Sequence, residues 1–156
     1  MGIIIVAGPT CSGKSTFIKN NFPKHTKIDV FDFQQKLDCF SVDNIMKSYI
    51  ECRDALVSAI KNNKNIVLEH TLLKKCRRDM YVNAIKETTS EPIEMYFLFP
   101  SDEQLLSQMQ MRKYSNSKTE VSRMKELAEL PTVGEGYKVV HIISDDPKFN
   151  TVEYAQ

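Results

Sequence analysis

The sequence predicts an α/β fold in which five strands form a mostly parallel sheet between two layers of helices. Short apolar runs alternate along the chain with segments whose apolar residues recur every three or four positions. This alternation is the pattern of strands joined by crossover helices. A length of 156 residues, with 42% hydrophobic and 26% charged residues, is typical of one globular domain. The predicted strands cover residues 3–7, 27–31, 65–69, 93–99 and 137–143.

Helices are predicted between these strands from the spacing of their apolar residues. Residues 45–60 and 77–85 have the helical period and are expected to be crossover helices. A further pair of helices, residues 102–113 and 119–130, flanks the polar stretch 114–117. The polarity of that stretch predicts a hinge between two helices.

The whole chain, residues 1–156, is expected to form a single domain in which residues 102–130 act as a helical lid. The last residues, 145–156, contain Pro147 and few apolar side chains. This composition predicts a loosely packed tail.

The charge balance and the cysteines exclude several classes of protein. With 21 Lys and Arg against 20 Asp and Glu, the net charge is +1, so any nucleic-acid contact must be a local basic patch. No apolar run approaches the roughly 20 residues that span a bilayer, so we expect a cytoplasmic protein with no membrane partner. Cys11, Cys39, Cys52 and Cys76 lack metal-site spacing and are expected to be reduced, unligated thiols.

The strongest motif follows the first predicted strand directly. Residues 8–15 read Gly-Pro-Thr-Cys-Ser-Gly-Lys-Ser, the Gly-x-x-x-x-Gly-Lys-Ser pattern of a loop that binds nucleoside triphosphates. Glycines let the backbone amides point at phosphate oxygens, and the following helix adds its positive end. Lys14 is expected to contact the β- and γ-phosphates, and Ser15 to ligate Mg²⁺. The predicted nucleotide-binding residues are Gly8, Pro9, Thr10, Cys11, Ser12, Gly13, Lys14, Ser15 and Thr16.

Other features favour ATP over GTP. Residues 26–29, Thr-Lys-Ile-Asp, match a guanine-reading pattern, but they lie too early in the chain and no Asp-x-x-Gly switch is present.

Glu69 ends an apolar strand, where a second Mg²⁺ ligand is expected, although a strand-capping acid has the same pattern. We therefore predict a three-layer α/β/α fold of the P-loop NTPase type, with ATP as cosubstrate and Mg²⁺ as cofactor.

A kinase also needs a base for the attacking hydroxyl and cations for the transferred phosphoryl group. Asp32 lies at the predicted turn from strand to helix and is the expected base, with Asp29 as the alternative; either carboxylate also suits a helix cap. Arg112, beside the polar hinge, is expected to close over the ATP phosphates. Arg77 and Arg78 suit either acceptor binding or a solvated helix face.

Several separate segments have the order and spacing of one known group of enzymes. They are residues 8–17, residues 66–71, Arg78 with Tyr81-Val82, residues 97–99 with Glu103-Gln104, Arg112, and residues 129–137. Across residues 2–143 the chain resembles the 5′-hydroxyl polynucleotide kinase family, particularly the kinase domain of the DNA-end-repair kinase/phosphatase. The segment Glu-Leu-Pro-Thr-Val-Gly-Glu-Gly-Tyr at 129–137 makes this resemblance specific.

The resemblance implies Mg²⁺-dependent transfer of the ATP γ-phosphate to a 5′-hydroxyl end of DNA or RNA. It implies an Asp after the second strand as the base and a lid arginine over the phosphates. The predicted catalytic residues are Lys14, Asp32 and Arg112, and the predicted acceptor-binding residues are Asp32, Thr71, Arg77 and Arg78.

Three parts of the sequence depart from the family pattern. The family's Asn-Arg-Asp is here Val30-Phe31-Asp32, its Asp-Asn-Thr-Asn is residues 69–72, Glu-His-Thr-Leu, and one of its two lid arginines is Gln110. Two alternative functions follow from these departures. One is a small-molecule hydroxyl kinase of the same P-loop group, and the other is an ATP-binding regulatory protein without transfer chemistry.

Overall fold

The structure, a computed structural model, describes residues 2–37, 41–62, 65–114 and 116–156. Within these ranges, six strands form a single sheet. The strands are β1 (Ile3–Ala7), β2 (Thr26–Asp29), β3 (Ile66–Glu69), β4 (Ile93–Leu98), β5 (Val139–Ile143) and β6 (Thr151–Tyr154).

The order of the strands is β2-β3-β1-β4-β5-β6. The first five strands pair in parallel, whereas β6 pairs antiparallel with β5. The predicted α/β/α fold with a mostly parallel sheet is therefore confirmed, with one strand more than the five expected. The central strand β1 is buried along its whole length, as its five consecutive apolar residues predict.

Helices cover both faces of the sheet. On one face, Ile18 of the helix after β1 packs with Ile4 and Val6. On the other face, Leu56 and Ile85 come from two longer helices and pack in the main core. The helices are α1 (Lys14–Asn21), α2 (Val30–Gln35), α3 (Val42–Lys61), α4 (Lys75–Thr88), α5 (Asp102–Met111) and α6 (Ser117–Leu127), with a 3₁₀ turn at Val133–Glu135.

The second strand ends earlier than its sequence predicts. Residues 27–31 were expected to be extended, but Val30 already begins α2. The cause is Asp29, whose carboxylate accepts a hydrogen bond from the backbone N–H of Phe31 at 3.0 Å and caps the helix. The residue at the carboxyl end of β2 is therefore Asp29.

The chain after residue 145 also differs from its prediction. Thr151–Tyr154 forms β6, although all four side chains are exposed. Backbone hydrogen bonds to β5 hold this strand, and no apolar burial marks it in the sequence. The expectation of a loosely packed tail is corrected for these four residues.

The predicted helical pair corresponds to α5 and α6. The polar stretch between them includes Ser115, which lies outside the described residues. Of the cysteines expected to be free thiols, Cys39 also lies outside them, and the other three form no disulfide. Within the described ranges, none of the helices has both the length and the apolarity needed to cross a membrane.

One ion pair is buried beneath α4. Arg78 is 1% exposed, and its Nε and Nη2 donate to the two carboxylate oxygens of Glu135 at 2.8 and 3.1 Å. Its Nη1 donates to the carbonyls of Leu72 and Leu73 at 2.9 and 3.2 Å. The prediction that Arg78 binds an acceptor does not fit this placement, because these bonds hold its guanidinium inside the core. The arginine instead ties the loop after β3 to the 3₁₀ turn before β5.

We expect Arg78→Met to lower the free energy of unfolding by about 3 to 5 kcal/mol, because it leaves the Glu135 carboxylate buried without its cation. The double variant Arg78→Met, Glu135→Leu should recover most of this loss, since no unpaired charge remains. Chemical denaturation measures the free energy of unfolding of both variants, and their m-values should equal that of the native protein. A loss below about 1 kcal/mol in the single variant would contradict the buried pair.

Candidate active site

A cavity of about 320 Å³ lies at the carboxyl ends of the neighbouring strands β1, β2 and β3. Ligands of open α/β sheets bind at this edge. Residues from four parts of the chain meet here because the parallel register brings the strand ends together. The lining residues are Thr10, Cys11, Lys14, Ser15, Asp29, Val30, Phe31, Gln34, Glu69, His70, Thr71, Arg112 and Tyr114.

The phosphate loop connects β1 to α1 and forms one wall of this cavity. Gly8 has a φ of 145°, and a Cβ at this position would lie 2.4 Å from the Leu98 carbonyl oxygen. Gly13 caps α1 with a φ of 95°. Both positions therefore need glycine, as the motif predicts.

Lys14 is the cation of this loop. Its Nζ donates to the carbonyls of Gly8 and Pro9, at 2.9 Å in each case. Burial lowers the pKa of Lys14 to about 8, although the nearby carboxylates of Glu69 and Asp29 oppose this shift. The ammonium group is thus held at the mouth of the loop.

The loop also contains a hydroxyl that fits an anion. Ser12 Oγ is buried and has no hydrogen-bond partner within the described part of the chain. A buried hydroxyl normally finds an acceptor or donor. The Lys14 ammonium, this free hydroxyl and the amino end of α1 together suit a phosphate group.

The predicted metal ligands lie together. Ser15 Oγ donates to the Glu69 carboxylate, with distances of 3.0 and 2.9 Å to its two oxygens. A hydroxyl and a carboxylate are hard oxygen ligands, and Mg²⁺ in nucleotide sites usually takes one or two such protein ligands besides phosphate and water. These residues therefore fit Mg²⁺. Lys27 is also close, with its Nζ 3.6 Å from Glu69 Oε1 and 3.8 Å from Asp29 Oδ2.

Asp29, and not Asp32, lines the cavity. Asp29 pairs in register with Glu69 on the adjacent strand. Burial raises the pKa of Asp29, the Phe31 amide opposes this shift, and the Glu69 charge adds to it. Asp32 lies on an exposed part of α2 and is absent from the cavity wall. Of the two candidates for the base, the structure thus places the alternative, Asp29, in the cavity wall, because β2 ends at Asp29.

Arg112 connects the first cavity to a second one. It caps the end of α5 and lines both the first cavity and a space of about 470 Å³ on the other side of the phosphate loop. Ser12, Gly13 and Thr16 line that second space. The other polar residues of this second space were not predicted as site residues from the sequence; they are Asn20, Asn21, Gln104, Gln108, Ser144 and Asp145. Two of them, Ser144 and Asp145, could have been found, because they follow the carboxyl end of β5, where ligands of such sheets bind.

The helical pair contacts the phosphate loop through Cys11. The Cys11 side chain is buried in an apolar cluster with Leu105 and Met109 of α5 and Val121 and Met124 of α6. The packing places α5 and α6 directly against the loop, as a lid would require.

A third cavity, of about 380 Å³, adjoins the first and shares Thr10, Gln34, His70 and Thr71 with it. Three cationic side chains line this cavity, and no acidic side chain is in its wall among the residues that the structure describes. The three cationic residues are Lys74, Arg77 and Arg123. Of the predicted acceptor-binding residues, Thr71 thus lines both the first and the third cavity, and Arg77 lines the third one.

His70 forms a buried part of the floor between these cavities. Its Nε2 lies 3.1 Å from the hydroxyl of Tyr81, which donates to the Tyr49 carbonyl at 2.8 Å. Burial, aided by the charges of Lys14 and Arg77, lowers the pKa of His70 to about 3. The imidazole is therefore neutral near pH 7, and its contact with the Tyr81 hydroxyl fixes it in the cavity floor.

The segment that made the family resemblance specific has a structural role. The Glu129 amide donates to the Leu73 carbonyl at 2.7 Å, and its carboxylate accepts from the Lys75 amide at 3.3 Å. Glu135 pairs with Arg78 and also closes a capping box with Thr132. These contacts fix the loop that carries Thr71. Residues 129–137 themselves line neither the first cavity nor the cavity around Lys74 and Arg77.

No protein-family model matches this sequence, and no curated protein matches it. Solved structures of kinases do share its fold. A sugar kinase from Janibacter sp. HTCC2649 is 12% identical at a TM-score of 0.66, with 92% of this chain and 85% of that chain covered. A gluconokinase from Sinorhizobium meliloti 1021 is 19% identical at a TM-score of 0.65, with 93% and 83% covered.

A chain of the Pnkp1/Rnl/Hen1 RNA repair complex has the same fold. It is 20% identical at a TM-score of 0.62, and the match covers 82% of this chain and 46% of that chain. The chain thus shares its fold with a sugar kinase, a gluconokinase and a chain of an RNA repair complex alike. At these identities the similarity concerns the fold and does not distinguish between acceptors.

We expect the affinity for Mg-ATP to fall as the pH rises above about 8. The pKa of Lys14 is lowered to about 8 in the free protein, so alkaline pH removes the charge that contacts the phosphates. The fall should approach tenfold per pH unit until the raised pKa of the complex is reached. Calorimetric titration between about pH 7 and 9 tests this.

The control is Lys14→Met, which should bind more weakly at every pH and lack this alkaline loss. An affinity of the unaltered protein that stays constant up to about pH 9 would show that Lys14 keeps its proton.

Proposed function

We propose that this chain is an ATP-dependent phosphotransferase that phosphorylates a hydroxyl group. One observation carries the proposal: Lys14, Ser15, Asp29 and Glu69 line a single cavity at the carboxyl ends of three parallel strands. A phosphate-binding cation, a pair of Mg²⁺ ligands and a base are the parts that phosphoryl transfer needs.

In this proposal the phosphate loop holds the β- and γ-phosphates, with Lys14 as their charge partner. Mg²⁺ bound by Ser15 and Glu69 would neutralise phosphate charge. Arg112 contacts the phosphates from the lid, and the second cavity receives the nucleoside. Polar residues line much of that second cavity, and this supports the assignment to the nucleoside.

Asp29 is the proposed base. Its carboxylate orients the acceptor hydroxyl and takes its proton as the oxygen bonds to the γ-phosphorus. The bond from that phosphorus to the β–γ bridging oxygen breaks, and ADP leaves. The raised pKa of Asp29 suits this task, because a base with a higher pKa accepts the proton more readily.

A 5′-hydroxyl end of a nucleic acid is the first candidate acceptor. The three cations of the third cavity, Lys74, Arg77 and Arg123, would contact backbone phosphates next to that end. The resemblance of the sequence to polynucleotide kinases supports the same acceptor.

A small molecule with a hydroxyl group is the second candidate. The first and third cavities measure about 320 and 380 Å³, a size that suits a metabolite. The fold shared with a sugar kinase and a gluconokinase also supports it.

The proposal predicts transfer of labelled γ-phosphate from Mg-ATP to one of these acceptors. A 5′-hydroxyl oligonucleotide is assayed beside nucleosides, sugars and gluconate, with Lys14→Ala as the control that loses transfer by about a hundredfold or more. Loss of transfer as salt rises favours the nucleic acid, and turnover that is insensitive to salt favours a small molecule. ATP binding without any acceptor-dependent turnover would instead support a regulatory protein.

We expect Asp29→Asn to lower kcat by about a hundredfold or more, while the affinity for ATP changes much less, since Glu69 still supplies an opposite charge to Lys14. Asparagine still caps a helix, so α2 should keep its start. Asp32→Asn is the matched control and should change kcat by less than about threefold, since Asp32 does not line the cavity. A larger loss in Asp32→Asn would return the role of base to Asp32.

A further inference from the structure

Two exposed aromatic side chains line the cavity that contains the proposed base. Phe31 is 56% exposed and Tyr114 is 46% exposed. Large aromatic rings gain free energy when they are covered, so such exposure beside a binding cavity points to a ligand that covers them. The two rings come from different parts of the fold, α2 and the loop after α5.

Phe31 is fixed beside Asp29 by the start of α2. Its backbone N–H donates to the Asp29 carboxylate at 3.0 Å. The preceding residue, Val30, is buried in the main core and anchors this turn. The ring is therefore carried by a backbone that is bonded directly to the proposed base.

Tyr114 is fixed beside the phosphate loop. Its backbone N–H donates to the Met109 carbonyl at 3.1 Å, and its own carbonyl accepts from Ser117 Oγ at 2.9 Å. Burial, and then the neighbouring Cys11 thiol, raise the pKa of the Tyr114 phenol, so part of this side chain rests against the loop. The remainder of the ring is open to the cavity.

We infer that Phe31 and Tyr114 stack on a planar ring of the acceptor, so that the preferred acceptor is a 5′-hydroxyl carried by a nucleobase-bearing residue. This inference rests on the proposed phosphotransferase function and specifies its acceptor. Aromatic side chains stack on nucleobases of any sequence, because every base has a flat face. A sugar ring covers an aromatic side chain only through its C–H groups, and open-chain gluconate has no ring, so a flat nucleobase covers the two exposed rings more fully.

The charge of the adjoining third cavity agrees with this acceptor. A nucleotide whose base lies on Phe31 and Tyr114 has its next phosphate within a few ångströms of the ribose. The third cavity shares four residues with the first and is lined by Lys74, Arg77 and Arg123. The aromatic rings and the cations thus suit the two different parts of one nucleotide end.

The test compares two 5′-hydroxyl oligonucleotides that differ only in whether the terminal residue carries a base or is abasic. The native protein should phosphorylate the base-bearing oligonucleotide with about tenfold higher kcat/KM, the contribution of one stacked base. Phe31→Ala and Tyr114→Ala should each lower kcat/KM for that substrate severalfold and so reduce the preference over the abasic oligonucleotide.

Two controls separate stacking from other effects. Phe31→Leu keeps an apolar side chain without a ring and should behave like Phe31→Ala. Tyr154→Ala removes a tyrosine of similar exposure, 68%, on β6 outside the cavity wall, and should keep the native preference. Equal use of both oligonucleotides by the native protein, or an equal loss on both in the Phe31 and Tyr114 variants, would overturn the inference.

A binding measurement separates this inference from the proposed function. Fluorescence anisotropy of the same labelled oligonucleotides is measured with Mg²⁺ and an unreactive ATP analogue. If no acceptor is phosphorylated, a preference for the base-bearing oligonucleotide that Phe31→Ala removes still supports stacking, while phosphotransfer fails. If sugars are phosphorylated and neither oligonucleotide is bound preferentially, phosphotransfer stands and the stacking inference is wrong. A free nucleoside as a further substrate distinguishes a nucleic-acid end from a monomer.

Discussion

The burial of one ammonium group, that of Lys14, is the constraint on which the candidate site depends. A buried cation is costly unless hydrogen bonds and opposite charges surround it. Here the Gly8 and Pro9 carbonyls accept hydrogen bonds from the ammonium group, and the carboxylates of Glu69 and Asp29 supply the opposite charge. Each of these groups requires its own backbone position. The carbonyls need the curled loop that only glycine at position 8 permits, and the carboxylates need the ends of β2 and β3.

The same arrangement prepares the site for a charged substrate. The two carboxylates that face Lys14 also face each other, which contributes to the raised pKa of Asp29. Ser15 and Lys27 share the remaining contacts of Glu69. A phosphate group bound in the loop would supply negative charge to Lys14, as these two carboxylates do in the free protein. The groups that balance the lysine in the free protein are thus the groups proposed to hold Mg²⁺ and to accept the proton.

The buried ion pair of Arg78 and Glu135 supports this site. Arg78 and Glu135 connect the loop after β3 to the segment before β5, and so fix Thr71 and His70 between two cavities. The residues that resemble polynucleotide kinases most specifically, 129–137, belong to this framework. The most specific part of the resemblance therefore lies in residues that support the site, whereas the residues proposed to contact the acceptor, Phe31, Tyr114 and the cations of the third cavity, lie elsewhere in the sequence.

The sequence by itself determined the fold class, the phosphate loop and the approximate place of every parallel strand. These features depend on residues that are close in the sequence, through the spacing of apolar side chains and the backbone geometry that glycine permits. They can therefore be predicted from the sequence alone. Only the tertiary structure decided that Asp29 is at the strand end, that Arg78 is buried, and that β6 completes the sheet. Ser15 meets Glu69 across 54 positions and Arg78 meets Glu135 across 57. Contacts at such separations depend on strand register and on where each strand ends, and a shift of two residues in the end of β2 was enough to decide which of the two aspartates lines the cavity.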